Sequence, residues 1–146
     1  MKIKTKASGI IEVDEEKKIT FREGLLGFES FKTFVLFNAD EPPFYWLQSL
    51  DDAQIAFIVI NPFLFRSDYE VCIEDEVVSD LGISSPDQAL IFAIVTVPKD
   101  GKTITVNLQG PLIINSITQL GKQVVLMDPQ WKTKHDIMIE LAAKLC

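Results

Sequence analysis

A chain of 146 residues, 47% apolar and 24% charged, has the length of one domain and the composition of an ordinary globular protein, which excludes a disordered chain. Its formal net charge of −7 favours solubility and basic partners, and works against direct nucleic-acid binding, which needs clustered Lys and Arg. No apolar stretch approaches the roughly 18 residues that a membrane span requires, and the basic start Met1–Lys6 leads into no apolar region, so neither signal peptide nor membrane segment is expected and the location is predicted to be cytoplasmic.

Gly, Pro and Asp divide the chain into short runs rich in Val, Ile, Phe and Thr, the residue types that suit a pleated surface. In chain order these predict strands at Ile3–Ala7, Ile10–Val13, Ile19–Phe21, Lys32–Asn38, Tyr45–Leu50, Ile55–Ile60, Tyr69–Ile73, Leu90–Val97, Thr103–Leu108, Leu112–Asn115 and Gln123–Met127. Leu90–Val97 is apolar at almost every position, which predicts a central strand covered on both faces. Asp100-Gly101 after it predicts a hairpin into Thr103–Leu108, because Gly tolerates the positive φ of such turns. Glu74–Gly82 reads as a helix: acids fill its first turn, Val77, Val78 and Leu81 share a face, and Gly82 caps its end. A second helix is predicted near Thr133 to Lys144 from the stripe Ile137, Met138, Leu141 and Leu145. Many short strands at regular spacing predict a mainly β sandwich or barrel, with residues 1–146 as a single domain capped by short helices.

The sequence offers little catalytic chemistry. His135 is the only histidine, in a polar, basic stretch where an exposed or capping role is expected, and Asp136 beside it would point to a different helix face. Cys72 and Cys146 lie far apart in no metal or redox spacing, and Cys72 is expected to be a buried structural thiol. Asp68, Glu70, Glu74, Asp75, Glu76 and Asp80 lack the alternation of a calcium loop; they read as a solvated helix start or as an acidic docking patch. Gly24-Leu-Leu-Gly27 is no phosphate cradle and suits a tight packed turn. Phe44-Tyr45-Trp46 reads as core or protein-interface aromatics, and Asn61–Phe65 as a turn that tucks Phe63 or Phe65 inward and leaves one of them as a candidate exposed anchor. No catalytic residue, cofactor or metal is assigned, and a protein-binding module is the expected class. The alternative is a small β-barrel enzyme or ligand-binding protein with an interior site, and an obligate structural subunit is a third possibility. An interior site needs inward polar groups, which these apolar strands do not supply.

Five ordered segments, Phe21-Arg-Glu-Gly-Leu-Leu-Gly-Phe28, Pro43-Phe-Tyr-Trp-Leu-Gln-Ser49, Ala56-Phe-Ile-Val-Ile-Asn-Pro62, Asp68-Tyr69 and Val106-Asn-Leu-Gln-Gly-Pro-Leu-Ile-Ile-Asn115, together resemble the FliW family of bacterial flagellar assembly factors. Gly110-Pro111 stands where that family commonly has Ala-Pro, a change expected to add freedom to the turn. The resemblance implies a small β pseudo-barrel that binds newly made flagellin, in a chaperone-like role, and alternatively binds the translational repressor CsrA. Freed by flagellin secretion, such a factor would capture the repressor and relieve silencing of flagellin mRNA. On that reading Asp68, Glu70, Glu74, Asp75 and Glu76 are the candidates for the repressor, Phe44, Phe63 and Phe65 are the apolar anchors for flagellin, and the free protein is a monomer.

Overall fold

The computed structural model describes residues 1–101 and 103–140. Its strands are β1 (Lys2–Thr5), β2 (Gly9–Glu12), β3 (Ile19–Phe21), β4 (Thr33–Asn38), β5 (Tyr45–Ser49), β6 (Ala56–Ile60), β7 (Ala89–Thr96), β8 (Thr105–Val106), β9 (Leu112–Asn115), β10 (Leu120–Gln123) and β11 (His135–Asp136); the helix α1 spans Asp75–Leu81. From β3 to β7 each strand pairs antiparallel with the next. β7 then pairs with β9, β9 with β10, and a parallel β10–β3 pairing closes a ring of seven strands. β8 and β11 extend the sheet beside the far half of β7, and β1–β2 form a separate hairpin.

Period-two alternation decides what fills the ring. Ile19 and Phe21, Phe34 and Leu36, Tyr45 and Leu47, Phe57 and Val59, Phe92 and Ile94, and Leu112 and Ile114 are alternate residues of six strands and form one cluster. The seventh strand contributes Gly121, where a Cβ would sit 2.6 Å from the Phe21 ring, so the aromatic occupies the space a side chain would take. Phe21 and Phe34 meet edge to face at 5.6 Å between centroids. The barrel is filled with apolar side chains, which leaves the alternative of an interior ligand site without the polar groups it would need.

Opposite-parity residues face outward and are covered in turn. Ile60, Ala93, Val95, Val106 and Leu108 pack beneath Phe65, Tyr69, Leu126, Trp131 and Ile137. Val77 and Leu81 of α1 pack on Ile113. α1 ends as expected: Gly82 adopts φ +67, and the Ile83 amide returns to the Val78 carbonyl at 3.0 Å, closing the turn.

The predicted hairpin forms, β7 pairing Val95 with Val106 and Thr96 with Thr105, and β7 is bonded to neighbours along both edges. Thr103–Leu108 is shorter as a ladder than predicted, because the Asn107 side chain accepts the amides of Gln109 and Gly110 and turns the chain. Gln123–Met127 is displaced: the ladder lies at Leu120–Gln123, and the next residues continue extended, with the Val124 and Leu126 amides bonded to the Pro111 and Gln109 carbonyls. Tyr69–Ile73 forms no ladder among the described residues. Within the predicted second helix, His135–Asp136 pairs with β8, and helical geometry begins after it at residues 137–140. The Asp136 carboxylate accepts the Met138 and Ile139 amides and so caps that start. Leu141, Lys144, Leu145 and Cys146 lie outside the described residues. Gly110 has an ordinary φ, so the expected extra freedom is not used; a Cβ there would press on the Gln123 amide at 3.0 Å.

Candidate functional site

Charge is distributed very unevenly along this chain. Residues 67–98 contain seven acids, Asp68, Glu70, Glu74, Asp75, Glu76, Asp80 and Asp87, and no Lys or Arg. These seven match the whole formal charge of −7, since the other fourteen acids are balanced by fourteen Lys and Arg. Most of this stretch lies on the outside of the barrel, in the approach to α1, in α1 itself and in the turn into β7. Glu70, Glu74, Asp75 and Glu76 are exposed, and among the described residues none of them is held in an ion pair.

Asp68 is different. Its two oxygens take the Arg66 Nε and a terminal guanidinium nitrogen at 2.8 Å each. The remaining Arg66 nitrogen reaches Glu140 at 3.2 Å, and the guanidinium lies 4.7 Å from the Trp131 ring centre. Those hydrogen bonds hold the Asp68 carboxyl below its usual range and push the Arg66 pKa up. The sequence groups Asp68 with the other acids, but in the structure its charge is already compensated.

The approach to α1 carries the alternation of a strand without a neighbour. Tyr69, Val71 and Ile73 turn inward while Glu70, Cys72 and Glu74 turn to solvent. Cys72 is therefore exposed and not buried as expected: its flanking residues supply the inward set. Tyr69 donates its hydroxyl to the Leu108 carbonyl at 2.6 Å, and burial raises its pKa. Beyond Tyr69, the backbone groups of Glu70, Val71, Cys72 and Ile73 make no hydrogen bond among the described residues. Beside this segment runs an apolar groove of about 530 Å³, lined by Phe63, Val71, Ile73, Val78, Ile83, Ala89 and Ile91 with Ser84, Ser85 and Pro86. Of these residues the sequence points only to Phe63; a tally of charge by segment marks the stretch that holds the others, and only the fold lines them along one groove.

The three aromatic anchors separate. Phe63 is 39% exposed, at the groove wall, its ring 5.8 Å from that of Tyr69. Phe44 lies elsewhere, half-buried in a groove of about 360 Å³ with Trp46, Ile58, Val95, Val97 and Ile104, rimmed by Asp40 and Glu41. Phe65 is 3% exposed and belongs to the core, which removes it as a surface anchor. A single turn explains the difference: the Asn61 side chain accepts the Phe63 amide, starting a tight helical turn that directs Phe65 inward.

His135 is half-buried, with its Nε2 accepting the Lys132 amide at 2.8 Å and Nδ1 3.1 Å from Glu140. Both ring nitrogens are thus engaged, and the ring ties Lys132 to Glu140 within this segment, while the β11–β8 pairing and the Leu108 and Gln109 amides on the Lys132 carbonyl join the segment to the sheet. The residues that carry the family resemblance are also framework. Gln123 accepts the Leu26 amide and donates to the Gly110 carbonyl, tying the Gly24–Gly27 turn to the Gly110-Pro111 turn. Gln48, wholly buried, accepts the Lys6 amide and so docks the β1–β2 hairpin. Asn115, also wholly buried, donates to the Leu81 carbonyl and accepts the Ile117 and Thr118 amides, fixing the end of α1 to β9.

Residues 2–137 match the family model described as FliW protein. The flagellar assembly factor FliW of Treponema denticola is 51% identical over 143 residues, covering 98% of this chain and 97% of its own. That of Treponema pallidum is 48% identical over 144 residues, covering 99% and 96%. A crystal structure of the flagellar assembly factor FliW superimposes with a TM-score of 0.86 at 37% identity, covering 94% of this chain and 96% of its own. The chain belongs to the FliW family of flagellar assembly factors.

Proposed function

We propose that this protein acts by binding other proteins in flagellar assembly, with newly made flagellin as one partner and the RNA-binding repressor CsrA as the other. Binding flagellin is the chaperone-like role, and binding the repressor relieves silencing of flagellin mRNA. The observation that carries this reading is the concentration of the net charge on residues 67–98, around an apolar groove. An RNA-binding regulator presents a basic surface, and an acidic face meets it with complementary potential and steered association. Glu70, Glu74, Asp75 and Glu76 are the residues free to do this, whereas the Asp68 charge is engaged by Arg66. Phe63 and Phe44 are the anchors available to an apolar flagellin segment, one in each groove. A cytoplasmic, monomeric protein without a cofactor fits this role.

Calorimetric titration against flagellin and against CsrA from the same bacterium, at two salt concentrations, tests the reading. Tight binding to both, with only the repressor complex weakening severalfold in salt, is expected; binding to neither overturns the assignment. Reversing Glu74, Asp75 and Glu76 together to Lys should weaken the repressor complex and flatten its salt dependence while the thermal transition stays cooperative. Unchanged affinity in that variant places the repressor on another face.

A further inference from the structure

We infer that Glu70–Ile73 is an acceptor edge for strand addition: an extended, basic peptide segment of a partner lies in the adjoining apolar groove and pairs its backbone with these residues. The inference rests on residues 67–98 being a docking face, but not on which protein docks there.

Three observations converge on this segment. Its side chains alternate as in a strand, with Tyr69, Val71 and Ile73 inward and Glu70, Cys72 and Glu74 outward. Tyr69 packs with the cluster over β7 and β8, Ile73 with that under α1, and Val71 touches both, so the segment strides between the two as extended chain. Four consecutive residues nevertheless leave their backbone donors and acceptors without protein partners among the described residues. Unpaired strand edges are templates for another chain, and folded proteins usually cover them or guard them with charge. Here the guarding charges, Glu70 and Glu74, all have one sign.

The groove beside this edge supplies the second requirement of strand addition. In that mode the main chain contributes affinity, while alternate side chains of the added strand enter pockets. Val71, Ile73, Val78, Ile83, Ala89 and Ile91 give an apolar floor for one set of alternate side chains. The other set would point outward among Glu70, Glu74, Asp75 and Asp87, with no Lys or Arg among the residues that line the groove to oppose a cation. The chemistry of the occupant follows: an extended segment alternating apolar residues with Lys or Arg. An amphipathic helix could use the apolar floor and the acids, but would leave the open backbone unused.

Synthetic peptides test this on the full chain. The probe is a nine-residue peptide alternating Lys and Val, compared with a peptide of Lys and Leu at helical spacing, a Glu and Val strand peptide, and the Lys and Val peptide N-methylated at alternate amides. Residue-resolved hydrogen exchange is followed throughout. The Lys and Val peptide should bind and slow exchange at alternate amides of the segment, Glu70 with Cys72 or Val71 with Ile73. N-methylation should weaken it at least about tenfold, through the loss of paired backbone hydrogen bonds, and the acidic peptide should not bind. Equal binding by the helical peptide, with all four amides still exchanging freely, overturns strand addition and leaves the acidic docking face standing. Failure of every peptide, under conditions where flagellin or CsrA binds, overturns strand addition alone.

Discussion

β7 and the segment Tyr69–Ile73 have much the same kind of sequence and opposite surroundings. Both are β-rich and both place alternate apolar residues against the barrel. β7 is bonded along both edges, to β6 on one and to β8 and β9 on the other. The segment before α1 packs its inward side chains over β7 and pairs its backbone with nothing among the described residues. The comparison separates two causes of extended structure. Apolar alternation fixes which way side chains face, whereas a ladder requires a neighbour that the chain must bring alongside. The pattern was satisfied in both places, but the neighbour was supplied in only one.

The side chains that β7 and its neighbours turn inward carry the largest share of the stability. Phe34 is wholly buried between Phe21 and Phe57, so Phe34→Ala should cost about 3–5 kcal/mol. Against a total stability of roughly 5–15 kcal/mol, that brings the variant close to unfolding, and guanidinium denaturation measures it directly. A loss under about 1 kcal/mol would mean that the barrel interior is not the main core. Next comes the junction between the barrel and the acidic face. Asn115→Ala removes one of the two donors to the Leu81 carbonyl, which keeps the Thr118 hydroxyl, and the acceptor of the Ile117 and Thr118 amides, so three hydrogen bonds around a wholly buried side chain are lost. It should cost about 2–3 kcal/mol and loosen α1, read as faster hydrogen exchange across Val77–Leu81.

These two residues also illustrate what could be read from the sequence. Phe34 lies in an alternating run, and strands of that kind, together with α1 and its Gly82 cap, were visible because their signals are local. β10 was displaced because Leu120-Gly-Lys-Gln123 has weak strand propensity and is held by partners far away in sequence, β3 and β9. β11 carries a helix signal because an apolar stripe begins at Ile137, and only the pairing of His135 with Val106 makes the two preceding residues a strand. The acids of the candidate site were legible as charge, but not as a surface. That Asp68 is paired, that Phe65 is buried and that Cys72 is exposed all depend on how one short stretch lies over β7.

Asp68 sharpens the distinction between a charge used inside the fold and one left for a partner. Arg66 holds its carboxyl below the usual 3.8. A folded value below the unfolded one stabilises the native state above about pH 4, and that contribution is lost as pH falls through the depressed value. Asp68→Asn removes it. Because the Asp68 carboxylate is largely exposed, the variant should be less stable by only about 0.2–1 kcal/mol at neutral pH, and the difference should shrink toward zero as pH falls through the depressed value. A difference constant down to that range would assign the effect to packing.

Phe63 should show the smallest effect on stability and the most informative one on binding. Its ring touches Tyr69 but remains 39% exposed, while Phe65, two residues along, is wholly within the core. Truncating a side chain in that position removes little buried surface, so Phe63→Ala should change stability by no more than about 0.5 kcal/mol. The groove wall would nonetheless lose its largest apolar element. A partner seated in the groove should therefore bind more weakly to a protein that is otherwise as stable as before, in a titration at equal folded concentration. A large loss of stability would place Phe63 with Phe65 in the core, and the groove would then be a crease between packed elements instead of a surface open to another chain.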